Sequence, residues 1–301
     1  MRHVKIYESF QTKDEISKIC KKYNIEDYII SSDGLVDVVG NVDLKDLELT
    51  KLPLKFGKID GDFHCDRNKL TSLEGAPQTV TGSFICRTNM LTSLEGAPQT
   101  VTGSFICDFN RLISLKGAPE SVGGNFYSDN NELITLEGAP KSVGGDFHCD
   151  RNKLTSLEGA PESVGGSFNC NYNQLTSLEG APESVADVFY CDRNQLTSLE
   201  GAPLECGTFS SDGIYIGNYK YPKSLLKVLH NSSESTKQLI LTIMSADYFN
   251  KQLIENPEKT IMSLKSVWND PEFKEIRKDI IIPTKYKDML KLTTNLADIG
   301  F

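Results

Sequence analysis

The sequence predicts a solenoid of short parallel β-strands followed by a helical region, and three observations carry that prediction. First, one 21-residue sentence recurs, with Leu70, Leu91, Leu112, Leu133, Leu154, Leu175 and Leu196 evenly spaced. Phe63, Phe84, Phe105, Phe126, Phe147, Phe168 and Phe189 keep the same step. A strict period of a few tens of residues marks coils that stack on one another. Second, the copies follow Phe-x-Cys-x-x-Asn-x-Leu-Thr-Ser-Leu-Glu-Gly-Ala-Pro almost word for word, and then a Ser-Val-Gly-Gly-like turn. Phe-x-Cys alternates inward and outward, as a strand does, and the Gly and Pro residues bend the return. Third, the period stops near Pro203, and after Tyr221-Pro222 the pattern turns helical.

The elements follow in order. Residues from about Phe10 to Tyr23 read as an amphipathic helix, with Thr12-Lys-Asp-Glu15 as its start and Ile16, Ile19 and Cys20 on one face. Tyr28-Ile-Ile30 and Leu35-Val-Asp-Val38 flank an Asp33-Gly34 pair, which is a hairpin signal because the turn needs positive φ. These residues, 1–39, are expected to cap the first coil. The array itself, 40–207, holds about eight coils, since Val42, Leu49 and Leu52 stand one period before Phe63, Leu70 and Leu73. Phe209 falls one residue early, and Ser211-Asp-Gly213 before Ile214-Tyr-Ile216 predicts a closing hairpin over 208–221. In 222–301, Ser224 to His230, Ser235 to Phe249, Lys259 to Trp268, Pro271 to Ile281 and Lys285 to Thr293 read as helices, either a cap or a small separate domain.

Composition narrows the function. The chain has 301 residues, 39% hydrophobic and 24% charged, as a soluble globular protein does. It has no apolar run of about 18 residues, so no membrane partner is expected. Met1-Arg2-His3-Val4-Lys5 lacks a secretory pattern, so the expected location is intracellular, the cytoplasm. The net charge is −9, and residues 61–207 carry 19 acidic and 9 basic side chains. A nucleic-acid reader needs the opposite sign to neutralise phosphates, so none is expected as a partner.

The repeat also assigns the polar and sulfur residues. Cys65, Cys86, Cys107, Cys149, Cys170 and Cys191 share one position, which Ser128 fills once. That column points inward as small buried hydrophobes, not as disulfides or metal ligands. The Asn that follows, from Asn68 to Asn194, sits where the chain leaves the strand and is expected to satisfy backbone groups of its own and neighbouring coils.

The motif Phe-x-Cys-x-x-Asn-x-Leu-Thr-Ser-Leu resembles the L-x-L-x-x-N-x-L-x-x-L core of leucine-rich repeats, with Phe and Cys in two leucine places. The short period and Gly-Ala-Pro are most similar to the compact bacterial class. Asp33-Gly34 and Leu52-Pro53 ahead of the repeats resemble repeat proteins encoded by tailed bacteriophages. The resemblance implies a parallel sheet on a concave face, with the fold class α/β, and a host-directed binding role.

Outward positions are the candidate surface. They give His64, Ile85, Ile106, Tyr127, His148 and Tyr190 at the x of Phe-x-Cys, with Asn169 among them. Arg87, Phe109, Tyr172 and Arg193 come just after the cysteines, and Asp62, Ser83, Ser104, Asn125, Asp146, Ser167 and Val188 precede each Phe. These letters vary between coils while the frame is constant, which reads either as a protein-binding stripe or as drift at solvated positions. Tyr, Arg and Phe are interface anchors, and Ile85, Ile106 and Phe109 would be exposed side by side. His64 and His148 stand four coils apart, on the order of 19 Å, too far for one metal or proton relay. No phosphate loop, zinc motif or nucleophile elbow occurs, and no cysteine follows Cys206 to serve a ligase of the kind some bacterial repeat effectors carry. The expectation is a non-enzymatic module without cofactor or metal that binds a protein partner. A structural or virion-assembly component that oligomerises through its ends or helical tail is the alternative.

Overall fold

The structure is a computed structural model that describes residues 12–196, 201–203, 205–211 and 214–220, with isolated positions between 253 and 287. The chain divides into two compact units, Met1–Leu154 with Glu158–Pro161 and Thr155–Leu157 with Glu162–Phe301.

The first unit opens with helix α1, Lys13–Lys22. Thr12 caps it: the Glu15 N–H donates to Thr12 Oγ1 at 3.3 Å, and the Thr12 N–H donates back to Glu15 Oε2 at 2.7 Å. This reciprocal box satisfies two of the donors that a helix start leaves open. Asp14 and Glu15 at the start and Lys21 and Lys22 at the end complement the helix dipole. Ile16 and Cys20 are buried. Strands β1 (Tyr28–Ile30) and β2 (Val36–Val39) pair antiparallel, as Asp33-Gly34 predicts, with Gly34 at φ +82°. Strand β3 is Val42–Asp43 and strand β4 is Phe56–Asp60. β2 pairs in parallel with β4, and β3 pairs Val42 onto Phe63, so the hairpin is itself the first rung of the stack.

Each later coil holds two short parallel strands rather than one. The expected strand is present as Phe63–His64, Phe84–Ile85, Phe105–Ile106, Phe126–Tyr127 and Phe147–His148, residue on residue. The second lies at Thr79–Val80, Thr100–Val101, Ser121–Val122 and Ser142–Val143, where the sequence reading placed a turn. The valine decides it: Val80, Val101, Val122 and Val143 are each at most 3% exposed and pair with their counterparts in adjacent coils. A β-branched residue packs well on such a ladder, and the bend belongs to the Thr-Gly or Gly-Gly that follows.

Between the two ladders lies the core. Phe63, Phe84, Phe105, Phe126 and Phe147 form one column of stacked rings with centroids 5.3–5.6 Å apart, all fully buried. The leucine pairs, from Leu70 and Leu73 to Leu133 and Leu136, are equally buried. All eight cysteines are buried, as thiols rather than disulfides. Ser128 fits their column because its hydroxyl donates to the His148 carbonyl at 3.0 Å, as Cys170 Sγ does to the Tyr190 carbonyl at 3.1 Å in the second unit.

Polar ladders close what the strands leave open. Asn68 Nδ2 donates to the carbonyls of Leu44, Cys65 and Asp66, and its Oδ1 accepts the Leu47 and Leu49 N–H groups of the preceding coil. Asn89, Asn110, Asn131 and Asn152 repeat this arrangement. A second ladder occupies the position before each Phe. There Asp62, Ser83, Ser104 and Asn125 each accept the N–H of the same position one coil on, at 2.7–3.1 Å. In the first unit these residues vary only among side chains with an acceptor, so their variation there is structural; Val188, at the same position of the second unit, donates its N–H to Ser167 Oγ at 3.4 Å but has no acceptor to pass on. In the Leu73–Ala76 turn the Ala76 N–H donates to the Leu73 carbonyl, and Gly75 sits at φ +88°. A Cβ there would stand 2.7 Å from the Leu54 carbonyl oxygen, so both the conformation and the close approach require glycine.

The second unit carries the same two ladders. Phe168, Phe189 and Phe209 stack at 5.3 and 5.6 Å. Ser184–Tyr190 runs both strand positions together and pairs with Glu205–Ser211. A register shift between Val185 and Val188 absorbs one residue, which is why Phe209 stands one place early and still meets Phe189. Glu205–Ser211 then pairs antiparallel with Ile214–Lys220, the hairpin expected at Ser211-Asp-Gly213. The helices expected beyond Ser224 lie outside the described residues, isolated positions apart. Among the described residues no helix is long and apolar enough to cross a membrane.

Candidate functional site

The outward side chains of the Phe-x strands form one row in the first unit: His64, Ile85, Ile106, Tyr127 and His148, paired neighbour to neighbour. All are half-buried, because each is flanked by the same position of adjacent coils about 4.8 Å away. Ile85 and Ile106 are therefore more covered than exposed positions would be, whereas Phe109 is 49% exposed. Tyr172, Tyr190 and Arg193 belong to the second unit. There Tyr190 pairs beside Asn169 and is half-buried, and Tyr172 and Arg193 are exposed.

The residues two places after each cysteine hold a special backbone. Arg67, Thr88, Phe109, Asn130 and Arg151 all have φ between 51° and 53°, the left-handed region that side chains other than Asn rarely occupy. The conformation is over-determined. The N–H of Thr88 donates to the Asp108 carbonyl at 3.0 Å, and that of Phe109 to the Asp129 carbonyl at 3.2 Å. The following Asn is fixed by its own ladder. The corner side chains thus project from a rigid turn.

Two of the expected contact residues meet each other. Arg87 donates to Asp108 Oδ2 at 2.9 Å, and its guanidinium lies 5.8 Å from the centre of the Phe109 ring. Asp108 is 4% exposed, and its other oxygen is buried without a hydrogen-bond partner. Burial and the neighbouring Asp129 carboxylate push the Asp108 carboxyl up to about 6, against the opposing pull of Arg87. Tyr127 is held at both ends. Its hydroxyl accepts from Asn125 Nδ2 at 2.8 Å and donates to Asp146 Oδ2 at 3.5 Å, and its ring stacks on His148 at 4.6 Å. Burial, with the Asp146 carboxylate, raises the phenol above its ordinary value.

Sequence reasoning missed the column immediately after the cysteines: Asp66, Arg87, Asp108, Asp129 and Asp150 in the first unit. Its signal was legible as Phe-x-Cys-Asp, and Arg87 alone of the column was selected. In the structure this column lies beside the outward row. Around His148 it places Asp129 and Asp150, and one ligand atom from each of the three residues lies within 4.8 Å of the others. Burial and the Asp129 charge hold the Asp150 carboxyl above its usual range. Asn130 Nδ2 donates to Asp129 Oδ2 at 2.7 Å, and Arg151 Nε stands 3.9 Å from Asp150 Oδ2. His64 lies apart from this cluster, with its Nδ1 3.6 Å from Asp66 Oδ1.

The cysteine column is chemically quiet. Burial raises the thiols of Cys65, Cys86, Cys107 and Cys149 well above their ordinary value, and that of Cys206 to about 12. A thiol so protonated is neither a ready nucleophile nor a ready ligand. Compared with known proteins, the chain matches no family model and no curated sequence.

Proposed function

We propose that this chain is a non-enzymatic scaffold that captures a protein partner on the outward row of its Phe-x strands. The observation that carries the reading is the immobilisation of that row. In the row Tyr127 is held by Asn125, Asp146 and the His148 ring, and in the column beside it Arg87 is held between Asp108 and Phe109. Side chains fixed before binding lose little freedom on binding, so their contacts convert to affinity with a smaller entropic cost. Aromatic and arginine side chains set in a half-buried row have the make-up of interface anchors. The acidic excess of residues 61–207 favours a partner with a basic surface and speeds its encounter.

The 21-residue period and the Asn ladder support kinship with the leucine-rich repeats, in the compact bacterial class, and with the phage-encoded repeat proteins that the motif resembles. On that kinship the partner is a host factor met in the cytoplasm. The test is capture from bacterial lysate by the wild-type chain and by the double variant Ile106→Ala with Tyr127→Ala. The expected result is loss of capture with a thermal midpoint lowered far less than by Phe126→Ala. Capture retained by the variant moves the contact off this row, and a wild-type chain that assembles into large homo-oligomers without a partner replaces capture by a structural role.

A further inference from the structure

The acidic column and His148 do something that the row of anchors does not require. We infer that Asp129, His148 and Asp150 form a site for one divalent transition-metal ion, Zn2+ foremost, with solvent completing its shell. The three residues come together through the stack itself. Asp129 and Asp150 occupy one column in adjacent coils, and His148 lies two residues before Asp150 on the same outward side. Their ligand atoms stand within 4.8 Å of one another, and half-buried side chains reach the roughly 2.0–2.2 Å bonds of a Zn2+ shell by small rotations.

The imidazole is already oriented. One face packs on the Tyr127 ring, and the main chain that carries it is fixed, since the His148 carbonyl accepts from both the Ser128 N–H at 2.8 Å and the Ser128 hydroxyl at 3.0 Å. Asn130 fixes one oxygen of Asp129. One imidazole nitrogen with two carboxylate oxygens is a borderline donor set, which suits Zn2+ better than Ca2+ or Mg2+, whose shells are built from oxygen alone.

A further carboxylate of the same column adds to the negative field beside these three residues. Asp108, in the same column one coil before Asp129, keeps one carboxylate oxygen buried and without a hydrogen-bond partner. Asp108, Asp129 and Asp150 thus stack three carboxylates, faced by Arg87 at 2.9 Å from Asp108 and Arg151 at 3.9 Å from Asp150. Asp66 also has an orphan oxygen, but there the neighbour is the His64 ring 3.6 Å away rather than another carboxylate.

The experiment is calorimetric titration of the full chain with ZnCl2 under reducing conditions, independent of any partner. One saturable site is expected, weakened at least about tenfold in His148→Gln and in Asp129→Asn and unchanged in His64→Gln. Thermal midpoints measured with EDTA should match the wild type, and Asp150→Asn replaces any variant that fails this check. Co2+ bound in place of Zn2+ should show ligand-field bands without thiolate charge transfer. Wild-type affinity in the His148→Gln and Asp129→Asn variants overturns the site, as does loss of binding in His64→Gln, a thiolate band, or the absence of saturable binding.

Discussion

His64 and His148 occupy the same position of the repeat, four coils apart, on an identical frame. Both follow a buried Phe, precede a buried Cys and stand two residues before an Asp of the column beyond. The difference lies one coil earlier. His148 has Tyr127 and Asp129 there, and His64 has Asp43 and Lys45. Lys45 places its ammonium 2.8 Å from Asp43, so the acidic surroundings of His64 are balanced within the protein. Around His148 the corresponding place is another carboxylate, Asp129, and the cation at hand is Arg151, 3.9 Å from Asp150. In a stacked array a residue's chemistry is therefore set as much by the residue 21 or 19 places away as by its neighbours in the chain.

The largest perturbation removes the frame that both regions share. Phe126→Ala should destabilise the protein by about 3–5 kcal/mol in a denaturant titration, because it empties a site between two stacked rings. Tyr127→Ala, one residue on, should cost far less. Equal losses would contradict the assignment of inside and outside. A smaller change tests the difference itself. Lys45→Asp puts a carboxylate where Asp129 stands in the other region and should add a second, weaker equivalent of Zn2+ in calorimetry. If no second equivalent appears, the Tyr127–His148 stack, absent at Asp43, is what makes the His148 region competent.

The smallest expected effect concerns protons. Asp108 is raised from 3.8 to about 6 in the folded chain, so the folded state holds its proton more tightly than the unfolded state does. That contribution to stability is complete below about pH 4 and is lost as pH rises through about 6. Asp108→Asn, measured by thermal melts with EDTA, should therefore gain stability relative to wild type at pH 8 and lose that advantage at pH 4. A difference that does not vary with pH would mean that the Arg87 ion pair outweighs burial.

Much of this was legible in the letters. The phenylalanine and leucine columns, the inward cysteines, the capped first helix and both hairpins follow from period, alternation and Asp-Gly. The second strand was not, since Thr/Ser-Val is only two residues long and abuts glycines that read as a turn. In the first unit the position before each Phe looked like variable surface because Asp, Ser and Asn differ as letters, although each supplies one acceptor to the same donor. The acidic column escaped because an Asp just past a strand reads as solvated. The structure shows Asp66 and Asp108 buried, and Asp108 crowded by the Asp129 carboxylate.

That exchange of one acceptor for one donor also bears on how such a chain can change its length. From Asp62 to Asp146 each link takes a bond from the link before and offers the same bond to the one after, so any two of these links are mates whatever lay between them. Excising a whole period, such as residues 82–102, would bring Gly103 to the place of Gly82 and leave every amide with a mate. Excising one residue fewer would shift each later link by a place and strand its donors.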